Sequence, residues 1–176
     1  IGADMLLPGI LFGGILGPIV EEYLFRYLLI RPLRSYGEGL CLFASGLIFA
    51  LFHANLYQVF YAFVLGALFA FIRLRTGTIL YCSLYHILIN LTGLFLIPAL
   101  TQLPGGQGEW IASAFILASI FGGFLLLVLH IREISLLPGA IPLPTGLLIR
   151  VFLLSPGVSG YLLSCLIITA VVTFFL

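Results

Sequence analysis

Residues 40–72, LCLFASGLIFALFHANLYQVFYAFVLGALFAFI, decide the fold. Read as one helix, this stretch would reach about 50 Å, too long for a hydrocarbon core about 30 Å thick. A turn near Ala54-Asn55-Leu56-Tyr57-Gln58 divides it into two helices, expected at 40–54 and 58–73. Charge supports the division. With the turn in place, Arg31, Arg34, Arg73, Arg75, Arg132 and Arg150 all fall on one side of the membrane. Without it, Arg73 and Arg75 would cross over. Positively charged loops stay in the cytoplasm, so that side is expected to be cytoplasmic. The two halves come to about 22–24 Å each, short for a full span, which suits a thinned bilayer or a water-filled crevice.

Composition agrees with this reading. Of 176 residues, 62% are hydrophobic and 7% charged, and all seven basic residues are Arg. A soluble surface needs far more charge, and a disordered chain needs low hydrophobicity. The fold class expected is therefore all-α, a polytopic transmembrane helix bundle. About six spans are expected, at 5–31, 40–54, 58–73, 78–100, 110–131 and 157–176, with a short interfacial helix at 147–154. The connectors carry turn residues: Ser35-Tyr36-Gly37, Thr76-Gly77, Pro104-Gly105-Gly106 and the run from Pro138 to Gly146. One transmembrane domain over 1–176 is expected, with a motif-bearing core at 18–93 and additional helices over 101–176. The net charge of +1 gives no field for nucleic acid, so no nucleic-acid partner is expected. The lipid bilayer is the expected surrounding.

The N-terminal Ile-Gly-Ala-Asp lacks a basic leader, so it is not a signal peptide and is expected to begin a fragment. Cys41, Cys82 and Cys165 lie far apart inside apolar runs and read as small buried hydrophobes. His130, beside Arg132 at the end of the fifth span, reads as an interfacial residue. Asp4, Glu38, Glu109 and Glu133 fall in terminal or connecting segments.

That leaves few polar groups at membrane depth. Glu21 lies about 15 Å from the edge marked by Arg31, and His53 about 20 Å along the second span. His86 and Asn90 lie about 12 and 18 Å along the fourth span. Ionisable groups at that depth cost about 2.5–3.5 kcal/mol each on insertion scales, so they are functional candidates. Glu22 and Arg26 are four apart with the acid first, the favoured order for an ion pair. Glu21 is turned about 100° away and is left to face other helices. Phe49 shares a face with His53, and His86 shares one with Asn90.

On these residues the chain resembles the CAAX-protease and bacteriocin-processing (CPBP, or Abi) family of membrane endopeptidases. The EExxxR motif is Glu21-Glu22-Tyr23-Leu24-Phe25-Arg26, FxxxH is Phe49-Ala50-Leu51-Phe52-His53, and HxxxN is His86-Ile87-Leu88-Ile89-Asn90. Arg75-Thr76-Gly77-Thr78-Ile79 resembles the family's lead-in to the third motif. The motifs stand in family order across residues 18–93, about half the chain.

The resemblance implies an intramembrane endopeptidase that opens toward the cytoplasm. Its substrate would be a membrane-associated protein or peptide, either a prenylated CAAX protein or a bacteriocin-type leader. The catalytic residues implied are Glu21, His53, His86 and Asn90, with Glu22, Arg26 and Phe49 as support. Glu21 is expected to activate water as general base, with His53 orienting that water. His86 and Asn90 are expected to stabilise the oxyanion. No cofactor is expected. Zinc on Glu21, His53 and His86 is the alternative, although no HExxH helix is present. A non-catalytic scaffold or immunity protein, and an ion- or proton-coupled transporter, are the competing functions. Short loops without an appended domain point to a bacterial inner membrane.

Overall fold

Ala54 takes a left-handed backbone (φ 47°), and there the 40–72 stretch breaks. Such a conformation costs a non-glycine residue roughly 1–2 kcal/mol and ends a right-handed helix. Asn55 then starts the next helix, its Oδ1 accepting the Tyr57 N–H at 3.0 Å.

The computed structural model describes residues 7–141 and 143–175. Asp4 and the first two residues of the 5–31 span lie outside them, as does Pro142 in the Pro-rich connector. Every element among the described residues is helical. Helix α1 covers 9–33 as successive segments: Gly9–Leu16 is π-wound, Gly17–Glu22 is α, Tyr23–Leu28 is π-wound and Ile30–Leu33 is α. Helix α2 is Glu38–Phe52 and α3 is Leu56–Thr76. Helix α4, Leu80–Leu91, continues through Thr92–Leu96 and Ile97–Thr101. Gln107–His130 forms α5, Thr145–Leu154 forms α6 and Pro156–Phe175 forms α7. The expected interfacial helix at 147–154 is thus present as α6.

Four stretches are long and apolar enough to cross a membrane: Leu56–Thr76, Leu80–Thr101, Pro104–Glu133 and Pro156–Phe174. The protein is therefore an integral membrane protein. The other two expected spans differ in kind. The described part of 5–31 is segmented and carries Glu21, Glu22 and Arg26, and α2 has 15 residues. The expectation of a short 58–73 helix is corrected. Asn55 caps α3 three residues earlier, and left-handed Gly77 (φ 73°) closes it after Thr76, giving 21 residues.

The chain divides into two compact units, Ile1–Val20 with Ser83–Ser135 and Glu21–Cys82 with Leu136–Leu176. In the first unit, a Cβ at Gly14 would stand 2.6 Å from the Leu91 side chain, so α1 and α4 touch through a bare backbone. Asn90 Nδ2 donates to the Gly13 carbonyl at 3.0 Å. Along α5 the large side chains Trp110, Phe121 and Phe124 are exposed, the pattern of a helix solvated by lipid.

The second unit has its core where α2 meets α1, α3 and α6: Phe25, Leu40, Ala44, Ile48, Phe49, Ala62, Leu148 and Phe152. Helices α2 and α3 cross at two glycines. A Cβ at Gly46 would lie 2.8 Å from the Phe63 carbonyl, and one at Gly66 would lie 2.8 Å from the Gly46 Cα. Tyr161 of α7 donates to the Ile48 carbonyl at 3.0 Å. The segment before α6 is strapped to the start of α2. Glu38 N–H donates to the Leu137 carbonyl at 3.1 Å, and Ile141 N–H donates to that of Ser35 at 3.1 Å. Cys41, Cys82 and Cys165 are buried thiols, as their apolar setting suggests.

Candidate active site

The first motif lies where α1 changes winding. Glu21 and Glu22 end an α segment, and Arg26 sits in the π-wound turn that follows. Wide turns of this kind occur often at functional sites. Glu22 and Arg26 are fully buried, with Arg26 Nε 3.1 Å from Glu22 Oε2. Two charges removed from water cost several kcal/mol each, so each is tolerable only beside the other. The pairing expected from their spacing is therefore met.

Aromatic rings complete the setting of Arg26. Its guanidinium carbon lies 4.3 Å from the Phe49 ring centroid, 5.3 Å from that of Phe69 and 5.9 Å from that of Phe25. The negative ring faces stabilise a desolvated cation. Phe49 thus has a defined contact to the first motif. Phe69 does not stand out in the sequence, because nothing in its own helix marks it. Ser45 Oγ donates to the Phe25 carbonyl at 3.3 Å, tying α2 to the π-wound segment. Glu21 is partly exposed, with Oε2 itself buried.

His53 closes α2. Its Nδ1 lies 2.8 Å from the Phe49 carbonyl. A carbonyl only accepts, so Nδ1 carries the hydrogen and Nε2 of the neutral ring keeps a lone pair. The Phe49 and His53 rings meet edge to face at 4.7 Å. The FxxxH spacing therefore does two things. It places Phe49 on Arg26, and it fixes the His53 tautomer.

The third motif belongs to the first unit. His86 is buried on α4. Asn90, one turn on, uses one of its two Nδ2 hydrogens on the Gly13 carbonyl, a commitment to α1 that spacing alone does not reveal. Within either unit, no three His, Cys, Asp or Glu side chains gather as ligands for one metal ion among the described residues.

Glu38, expected merely in a connector, is bound through both oxygens. Arg75 Nη1 donates to Oε1 at 2.6 Å, and Leu137 N–H donates to Oε2 at 2.8 Å. Burial pushes its carboxyl up, but these donors and nearby Arg34 outweigh burial and hold it below the ordinary Glu range.

No curated protein and no solved structure matches the chain. One family model does match, described as type II CAAX prenyl endopeptidase Rce1-like, over residues 3–92. That stretch holds all three motifs and spans more than half of the 176 residues. The chain belongs to the Rce1-like family of type II CAAX prenyl endopeptidases, a family of membrane proteases.

Proposed function

We propose that the protein is an intramembrane endopeptidase that hydrolyses a peptide bond in a membrane-associated substrate, using water activated by Glu21. The observation that carries this reading is the presence of all three motifs, intact and in order, inside the family match over 3–92. Glu21 takes the proton from water as it attacks the scissile carbonyl, and later returns it to the leaving amine. His53 accepts a hydrogen bond from that water at Nε2, the role its Nδ1 bond to Phe49 supports. His86 and the second Nδ2 hydrogen of Asn90 donate to the oxyanion, each worth about 2.7–4 kcal/mol if lost. Glu22, Arg26 and Phe49 hold the first two motifs in register.

This reading includes six spans, the segmented α1 and short α2 lining a water-accessible crevice, and Arg-bearing loops on the cytoplasmic side of a bacterial inner membrane. A prenylated CAAX-type tail or a leader-type peptide is the substrate. The chemistry is metal-free.

The test is cleavage of a prenylated CAAX peptide and a leader-type peptide by protein in liposomes. Wild type is expected to cleave one of them, also in the presence of a strong chelator. Glu21→Gln is expected to be folded and inactive. Full turnover by Glu21→Gln would remove Glu21 as the base, and loss of activity in chelator would favour zinc.

A further inference from the structure

Four arginines of the second unit line one cavity of about 180 Å³: Arg26, Arg31, Arg34 and Arg73, with walls from Tyr27, Ile30 and Leu74. The catalytic reading uses Arg26 through its contacts with Glu22 and the Phe49 ring. It does not use the remaining hydrogen-bond capacity of this group. Arg26 is fully buried, and its Nη1 and Nη2 make no hydrogen bond among the described residues. Nε of Arg73 is likewise buried without a hydrogen-bond partner. Arg31, Arg34 and Arg73 form no ion pair within 4 Å among those residues. Buried donors left unmade cost roughly 1–3 kcal/mol each, more when charged. Among the described residues only Arg26 of the four is ion-paired, to Glu22, and the Glu38 carboxylate near Arg34 is already bound by Arg75 and Leu137.

We propose that this cavity binds the phosphate of an anionic membrane lipid such as phosphatidylglycerol. Three features favour this occupant. Guanidinium forks match phosphate oxygens bidentately, and a phospholipid adds ester carbonyls and glycerol hydroxyls beside its phosphate as acceptors for the remaining N–H groups, which a lone carboxylate lacks. Arg31, Arg34 and Arg73 stand at the ends of α1 and α3, where membrane helices meet the headgroup layer. The remaining walls are apolar or amphipathic, which suits the glycerol and first methylenes of a lipid. The site would tie membrane composition to the helix that carries Glu21 and Glu22.

The test uses the purified chain in phosphatidylcholine nanodiscs with and without phosphatidylglycerol, with retained lipid read by native mass spectrometry. Wild type is expected to retain phosphatidylglycerol selectively. Arg34→Gln/Arg73→Gln is expected to bind it at least about tenfold more weakly, having lost charge-assisted bonds. Arg132→Gln/Arg150→Gln, also basic but outside the cavity, should match wild type. Arg34→Lys/Arg73→Lys keeps the charge and guards against misfolding; it should bind several-fold more weakly, because an ammonium lacks the fork. Equal retention by wild type and the Lys variant would overturn the proposal in favour of diffuse charge. Displacement by inorganic phosphate would make this a free-anion site, and displacement by a peptide with a free C-terminal carboxylate, but not by its amide, would make it a carboxylate site.

Discussion

Arg75 Nη1 donates to Glu38 Oε1 at 2.6 Å, joining the end of α3 to the start of α2, while the other Glu38 oxygen holds Leu137. A single carboxylate therefore fastens three segments that lie far apart in sequence. Glu38→Ala is expected to destabilise the protein by roughly 1–3 kcal/mol, as for loss of hydrogen bonds to a charged group. Thermal unfolding in detergent would measure this.

The same carboxylate makes stability pH-dependent. Its folded pKa lies below its unfolded one, which is about 4.3 for Glu. The unfolded state therefore binds more protons as pH falls, and the Glu38 contribution is complete above about pH 5 and lost as pH drops through the folded value. Glu38→Gln is expected to flatten the acid limb of a stability–pH curve. An unchanged limb would mean the strap carries no acid sensitivity.

The α2–α3 crossing tolerates no side chain. Gly46→Val and Gly66→Val each drive carbon into backbone or ring atoms of the facing helix, a cost of roughly 1–3 kcal/mol or more. Gly122→Ala on α5, where no atom stands within 4 Å, is expected to be neutral or stabilising by about 0.5–1 kcal/mol. Melting temperatures of the three variants would test the contrast.

Removing Arg26 takes from buried Glu22 its ion-pair partner. Arg26→Met is expected to cost about 3–5 kcal/mol, as for a broken buried pair. Glu22→Gln/Arg26→Met should lose less than the two single variants added together. Additive losses in a denaturant double-mutant cycle would mean the two side chains do not support each other.

Under the proposed mechanism, His53→Ala is expected to lower kcat by about 10²–10⁴. KM for a membrane-anchored fluorogenic peptide should change little, because the ring handles water rather than substrate. A larger effect on KM would reassign His53 to substrate binding.

The break at Ala54 was legible because an uninterrupted helix would overrun the bilayer, and the Glu22–Arg26 pair because four residues make one turn. Where the sequence reading fell short, the deciding contact came from elsewhere in the chain. Phe69 reaches Arg26 from α3, Gly13 binds Asn90 from α1, and Arg75 and Leu137 enclose Glu38. None of these contacts leaves a periodic mark on its own helix. The length of α3 is hidden in the sequence because Asn55 reads as a turn residue, although its side chain starts the helix. The π-wound turns of α1 were also invisible, since their residues are as apolar as those of an ordinary span.

Those wide turns bear on how the chain tolerates insertions and deletions. A π-wound turn holds a surplus residue that an α-helix would not need. Deleting one residue within Tyr23–Leu28 would let the helix relax to α winding while keeping the side chains beyond in phase. Deleting one within Gly17–Glu22 has no such slack, and would swing every later side chain by about 100°. Length variation among relatives should therefore be absorbed in the π-wound segment Gly9–Leu16 or beyond Arg26, not within Gly17–Glu22.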